Sequence, residues 1–521
     1  MTQRHIAIVT GVSALLLTLL AWQYFPAHAN YSVTTEDPNL NISQQAVSTN
    51  RIFLPLVLKN YTAPAPLWRF GVAQVRRELT SYDSYSMVSM RFGWYADFQA
   101  TDGASLPYGM EYVPLLRVKQ WKLQNDGTTW TQCRAAVQAD NYDPHYVTPL
   151  GVTPYAYTVS MTQSQIQAMA INRPGMTWVV GNEIERQDWL DSGGNCNRQD
   201  EMLPEAYAQA YHDIYLTIKS ADPTAQVAIG GLIEFTDLRR QYLDRVWNEY
   251  LTRYGTTMPV DVWNIHVYVL QEVKGSWGAD IPAGFSQTSG AIYTIEDNKD
   301  FNKAWQMVVN LRTWMNQHGE RNKPLITNEY GVNMPPDYPG FSAPEVRDSY
   351  LYPSFNNFLN TTNADTGYPA DGNRLMQRWN WWSLDYDDGD CDGSSYLQFF
   401  GGALFNSGLG PSGGGTCAYP AKGIAALGTY WSQYVAALPA GSAKPYASVQ
   451  SPALSLAQTT LPALPTYMPA SPDCPASQRV RLQFQEPALS GFSTEGLDSR
   501  YFPRASRAPV TQEMTICLPP K

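Results

Sequence analysis

Three features of the sequence predict an α/β fold with parallel strands. Short apolar runs alternate with longer helical segments from Leu67 to Leu438. The best marked run, Trp178-Val-Val180, is apolar at consecutive positions, as in a strand buried on both faces. Two runs also stop in the same way: Thr177-Trp-Val-Val-Gly-Asn-Glu-Ile-Glu185 and Pro324-Leu-Ile-Thr-Asn-Glu-Tyr-Gly331 both end in Asn-Glu. Eight strand–helix units over about 370 residues suit a (β/α)8 barrel with long loops. A doubly wound open sheet is the rival. No Gly-rich nucleotide loop follows the first strand, which counts against it.

The elements follow in order. Strands are expected at Trp68–Val75, within Met87–Phe98, and at Tyr112–Val118, with few helical marks between them. Met161–Ile171 has a helical period, and Trp178–Gly181 is the fourth strand. Pro204–Ser220 is an amphipathic helix opened by its proline. Val227–Gly231, helix Leu238–Tyr254 and strand Val260–Val269 come next. The loop from there to Asp300 is too long for a mere connector. Helix Phe301–His318, strand Leu325–Thr327, helix Val346–Leu359, strand Leu375–Trp382 and helix Gly423–Leu438 complete the series.

The ends are of another kind. Arg4 and His5 precede an apolar run, Ile6 to Trp22, and Ala27-His28-Ala29 offers a cleavage site. Residues 1–29 therefore read as a signal peptide, or as a signal anchor if uncleaved. Residues 30–66 read as a linker. Residues 439–521 are rich in proline, and Arg479–Gln485 alternates like a strand, so a partly β extension is expected. An exported chain with six Cys implies disulfides. Local pairing would join Cys133 to Cys196, Cys391 to Cys417 and Cys474 to Cys517. No CxxC and no His-rich cluster appears, so no structural zinc and no cofactor is expected. The net charge of −10 argues against nucleic acid as a partner. A secreted or extracytoplasmic monomer is expected, held to a membrane only through an uncleaved N-terminal segment.

Glu183 and Glu329 end the fourth and seventh strands. In a parallel barrel the carboxyl ends of the strands build the active site. Two carboxyls about 5 Å apart suit glycoside cleavage with retention, and about 6.5–9.5 Å suits inversion. For either Glu alone, a strand-end carboxylate that caps a helix is the simpler reading. The repeated Asn-Glu at both strand ends favours the catalytic one.

In this order of residues the chain resembles the clan A glycoside hydrolases, barrel enzymes with catalytic glutamates after strands four and seven. The matching residues are Asn182-Glu183, Glu329, His266-x-Tyr268 after strand six, and Trp381 or Trp382 at strand eight. The resemblance spans about Leu67 to Leu438. It implies that Glu183 is the general acid/base, that Glu329 is the nucleophile, and that Asn182 holds the 2-hydroxyl of the sugar. It implies an oligo- or polysaccharide substrate.

Other residues stay open between site and scaffold. His266 is either a partner of Glu329 or a core histidine, and Tyr268 either orients the nucleophile or lines the barrel. Arg91 is either paired with Glu329 or with another acid. One of Trp381 and Trp382 would form a platform for the sugar ring, since alternation turns the other into the wall. Trp121, Trp189 and Trp277 are loop candidates for outer subsites. Glu185, Asp188 and Glu234 are rival acids, with an ion-paired or solvated role as the default. Asp388, Asp390 and Asp392 occupy calcium-loop positions, but Phe399 stands where the closing Glu belongs.

Overall fold

The computed structural model describes residues 65–120, 122–123, 129–131, 157–188, 199–334, 338–386, 401–407, 423–439, 479–485 and 511–517. All lie in one compact unit, Thr62–Lys521. The expected signal segment, Trp121, Trp189, the acidic loop at 388–392 and the cysteine pairings lie outside the described residues. Among the described residues no helix is long and apolar enough to cross a membrane.

The fold is α/β, and its main strands are parallel. In chain order the early strands are β1 (Leu67–Ala73), β2 (Phe92–Ala96), β3 (Glu111–Tyr112) and β4 (Leu115–Leu116). Short strands β5 (Val118–Gln120), β6 (Lys122–Leu123), β7 (Thr129–Thr131) and β8 (Tyr157–Val159) follow. Then come β9 (Thr177–Asn182), β10 (Gln226–Gly231), β11 (Trp263–Asn264), β12 (Leu325–Tyr330) and β13 (Arg378–Trp381). One sheet has the order β11-β12-β13-β1-β2-β3, and a second the order β10-β9-β4. Parallel bridges Ala228↔Val262 and Leu232↔Ile265 link the region of β10 to that of β11. On the other side, Val113 N–H donates to Tyr95 O while Val179 N–H donates to Pro114 O, so the 111–116 stretch touches both sheets.

Strand alternation sorts the apolar side chains. Trp178 and Val180 join the large core shared with the helices. Val179 joins a separate cluster on the other face with Trp94, Val113, Leu115, Ala228, Val262 and Ile326. Both faces of β9 are thus dry, as expected for parallel strands. The helices start on capping chemistry. Thr162 and Gln165 form a reciprocal capping box at helix α2 (Gln163–Asn172), the short α1 being Ser84–Ser89. Pro204 opens α3 (Pro204–Ala221). Thr236 caps α4 (Asp237–Tyr254), which ends at Gly255 with φ 69°, a left-handed cap that favours glycine.

The sequence misplaces some boundaries. The sixth strand is a ladder of two residues, Trp263–Asn264, rather than Val260–Val269. The helix expected from Val346 starts at Ala343 and carries a π-helical turn at Arg347–Leu351. The last helix runs Ala426–Ala436. The Arg479–Gln485 strand (β14) is present and pairs antiparallel with β15 (Thr511–Cys517) and parallel with β7.

Candidate active site

Glu183 follows the last residue of β9. Its φ of +44° puts a non-glycine residue in the left-handed region, at a cost of order 1–3 kcal/mol. The turn this makes leads directly to Arg186, whose Nη1 donates to Glu183 Oε2 at 2.8 Å. Asn182 is held from behind: Asp200 Oδ2 accepts its backbone N–H at 2.8 Å, and its Nδ2 donates to Gln199 Oε1 at 3.1 Å.

Glu329 reaches the same place by a different device. Its strand pairs Thr327 with Trp379 and then Tyr330 with Trp381, so β12 carries one residue more than β13. Strict alternation would turn Asn328 and Glu329 to opposite faces. The extra residue, a β-bulge, lets both converge on His266. His266 Nδ1 lies 3.2 Å from Glu183 Oε1 and 3.8 Å from Glu329 Oε2. His266 Nδ1 and one oxygen from each carboxylate all lie within 4.8 Å of one another. Tyr268 OH donates to Glu329 Oε1 at 2.9 Å.

The group is buried but not sealed. Glu183 and His266 have 1% and 0% of their surface exposed, Glu329 8%. Burial pushes Glu183 up, yet the charges of Arg186 and His266 outweigh it and hold its carboxyl at about 2. Burial raises Glu329 more than His266 lowers it, and with the charge of Glu183 nearby it is pushed up to about 7. Burial and the neighbouring Glu329 raise Tyr268 well above its ordinary value, so it stays a donor. The resting pair is therefore asymmetric, with Glu183 held low and Glu329 pushed up. Three ligand atoms this close would also suit a divalent cation. Arg186 argues against one, because its guanidinium already holds Glu183.

His266 sits where only a glycine can back it. A Cβ on Gly231 would meet His266 Cδ2 and Nε2 at 2.3 Å. Gly231→Ala is expected to push the ring off the two carboxylates, and any turnover that this centre supports would fall by about 100-fold, the effect of an ångström of misplacement. Kinetics on folded variant, checked by circular dichroism, tests this; wild-type kcat would mean that the ring position does not matter.

The remaining expected residues divide. Trp382 is half-buried and packs with Ile233, Tyr268, Leu270 and Ala279, beside the Tyr268–Glu329 hydrogen bond. Trp381 is fully buried, and its indole N–H donates to Gly402 O, so it belongs to the wall. Arg91 does not join the group. It precedes β2, at the amino end of a strand, and its guanidinium donates to the carbonyls of Ala65, Val435, Leu438 and Pro439. A parallel sheet keeps that end away from Glu329, so the expected pairing is replaced by a clasp on the last helix.

The rival acids have structural partners. Asp188 pairs with Lys119 at 2.8 Å. Glu185, Glu234 and Glu272 surround the fully buried Arg239. Arg239 Nε donates to Glu185 at 3.0 Å, Nη1 to Glu272, and Nη2 to Ala279 O at 2.9 Å. The same carboxylates accept backbone N–H groups of Ile233, Leu270 and Ala291. Arg239 thus ties together the segments after β9, β10 and β11. Trp277 is exposed. Sequence reasoning gave no role to Arg186, Arg239, Asn264 and Asn328. For three of these a signal was present: Arg186 follows Glu183 by three positions, one turn on, Asn264 precedes His266 by two, and Asn328 opens the second Asn-Glu pair.

No protein-family model and no curated protein sequence matches the chain. Solved structures do. A monomeric β-xylosidase from Caulobacter crescentus CB15 matches at 14% identity and TM-score 0.35, covering 73% of this chain and 70% of its own. A GH128 (subgroup VII) oligosaccharide-binding protein from Trichoderma gamsii matches at 10% and 0.34, covering 71% and 93%. Xylanase 10B from Thermotoga petrophila RKU-1 matches at 12% and 0.31, covering 70% and 94%. At TM-scores this low, likeness is too loose to transfer an activity.

Proposed function

We propose that the chain is an exported, retaining glycoside hydrolase acting on β-linked glycans. We read the parallel pairings and bridges as one closed (β/α)8 barrel, with Glu183 and Glu329 at its mouth. The observation that carries the reading is the carboxylate pair, with an oxygen of each no more than 4.8 Å apart; that favours the shorter separation of about 5 Å used in retention over the roughly 6.5–9.5 Å of inversion. Glu183 protonates the leaving oxygen while Glu329 attacks the anomeric carbon. Glu183 then deprotonates the water that releases the sugar. Tyr268 orients Glu329 through its donated hydrogen bond, and Trp382 offers the sugar an apolar face.

A panel of chromogenic β-glycosides and β-linked polysaccharides tests the reading, with product stereochemistry followed by NMR. Retention supports it; inversion or the absence of any hydrolysis overturns it. A second reading has one observation in its favour. Arg186 keeps the intended proton donor ionised, as in a barrel that binds glycans without cutting them. Binding without turnover across the panel would select that reading.

The pH profile follows from the charge asymmetry. The nucleophile must be ionised, and Glu329 is pushed up to about 7. Below that pH the free enzyme holds a proton on Glu329, so kcat/KM is expected to fall about tenfold per unit. A profile that stays flat down to pH 5 would remove Glu329 from the nucleophile role.

A further inference from the structure

A retaining route needs a proton on Glu183, yet Glu183 rests ionised beside Arg186. The hydrogen bonds around His266 indicate where that proton is kept, and their directions follow from one backbone amide. Asn328 N–H donates to Asn264 Oδ1 at 3.1 Å, so the other branch of Asn264 is its NH2. That NH2 donates to Ile229 O at 3.2 Å and to the side chain of Asn328 at 2.6 Å. The atom of Asn328 that accepts is therefore Oδ1. The same Oδ1 lies 3.0 Å from His266 Nε2, which must then carry a hydrogen. Nε2 is committed, and only Nδ1 is left to exchange a proton, 3.2 Å from Glu183. Asn264, His266 and Asn328 are all fully buried.

We propose that His266 stores the proton that Glu183 delivers, and that Asn264 and Asn328 are positioning residues that fix the tautomer making this transfer possible. The idea rests on Glu183 as proton donor in the reaction proposed above. In the resting state Nδ1–H of an imidazolium faces an ionised Glu183. Moving that proton to Glu183 Oε1 yields a carboxylic acid and a neutral imidazole, with the proton count unchanged. Glu183 then passes the proton to the leaving oxygen as its bond to the anomeric carbon breaks, and Glu329 supplies the electron pair of the new bond. In the second step Glu183 takes a proton from water as the water oxygen bonds to the anomeric carbon and the bond to Glu329 breaks, restoring its carboxylate; the proton then returns to Nδ1.

The charged and titratable groups facing His266 are Glu183 with Arg186 behind it, Glu329 from β12, and Tyr268 from its own stretch. Gly231 on β10, Asn264 and Asn328 bring no charge. Burial lowers the imidazole, but Glu329 and Glu183 together raise it above its ordinary value.

Nitrogen-15 NMR of the six histidines in the full chain, with His266 assigned by its loss in His266→Asn, reads the tautomer directly. A hydrogen held on Nε2 across the titration is expected, with exchange confined to Nδ1. A neutral ring protonated on Nδ1 would overturn the proposal, even if no substrate were found. In kinetics, Asn328→Asp keeps the acceptor and adds a charge, so the basic limb of kcat/KM is expected to move up by about one unit, and the acid limb set by the neighbouring Glu329 moves up with it. Asn328→Leu is expected to move the basic limb down. His266→Asn is expected to lower kcat by about 100-fold on glycosides with poor leaving groups, with KM little changed, and far less on activated aryl glycosides that need no proton. Equal losses on both substrate types, or an unmoved basic limb in Asn328→Asp, would reduce these residues to packing. A protein that hydrolyses nothing but holds Nε2–H would sink the enzyme reading and leave the tautomer lock standing.

Discussion

Glu329→Gln is expected to cut turnover by about 10⁴-fold or more, the scale seen when a residue of a catalytic set is removed. The amide is nearly isosteric with the carboxyl. Its Oε1 can still accept from Tyr268, now at 2.9 Å from the carboxylate. It cannot form the bond to the anomeric carbon. The fold should not suffer, because Glu329 is a carboxyl that burial already disfavours in its ionised form. The thermal midpoint should match or exceed that of wild type, and an oligosaccharide substrate should still bind by calorimetry. Turnover within tenfold of wild type, on a sample free of contaminating hydrolase, would end the nucleophile assignment.

The second large effect concerns stability. Arg239→Met is expected to cost about 3–5 kcal/mol, the usual consequence of breaking a buried ion pair from one side. Burial pushes Glu234 well above its ordinary value, against the pull of the Arg239 charge. Glu272 would be left without its guanidinium partner and Glu185 without its charge partner, both in a dry interior. Against a typical total of about 5–15 kcal/mol, the variant should unfold at visibly lower urea or fail to accumulate. Adding Glu272→Gln should recover part of the loss, because a neutral amide needs no countercharge. An unchanged urea midpoint for Arg239→Met alone would show that the three segments hold together by other means.

Much of this architecture could be read from residue order, for definite reasons. The fourth and seventh strands are apolar on both faces, so their runs stand out, and each ends where polarity begins. The first three units were harder. A 3-10 turn, Leu79–Ser81, and a short helix, Ser84–Ser89, separate β1 from β2, and the third strand stretch is interrupted at Val113-Pro114. Both glutamates were visible as strand-end acids. Arg91 misled because its position at the amino end of a parallel strand depends on a boundary that Arg91-Phe-Gly-Trp94 does not mark. Arg186 was hidden among ordinary charges of a loop, and Arg239 looked like any helix arginine. Their importance comes from segments far apart in the chain closing over them. The outward turn of Trp381 could not be told from that of Trp382 until its indole found Gly402 O.

The extra residue in β12 also bears on how this site tolerates change in length. Losing one residue between Thr327 and Tyr330 would not merely shorten a connection. Asn328 and Glu329 are the two residues there, so the strand would regain its even pleat by giving up one of them, and with it the tautomer lock or the carboxylate. Point substitutions can erode such a centre by degrees, whereas a three-nucleotide deletion here would dismantle it at a stroke.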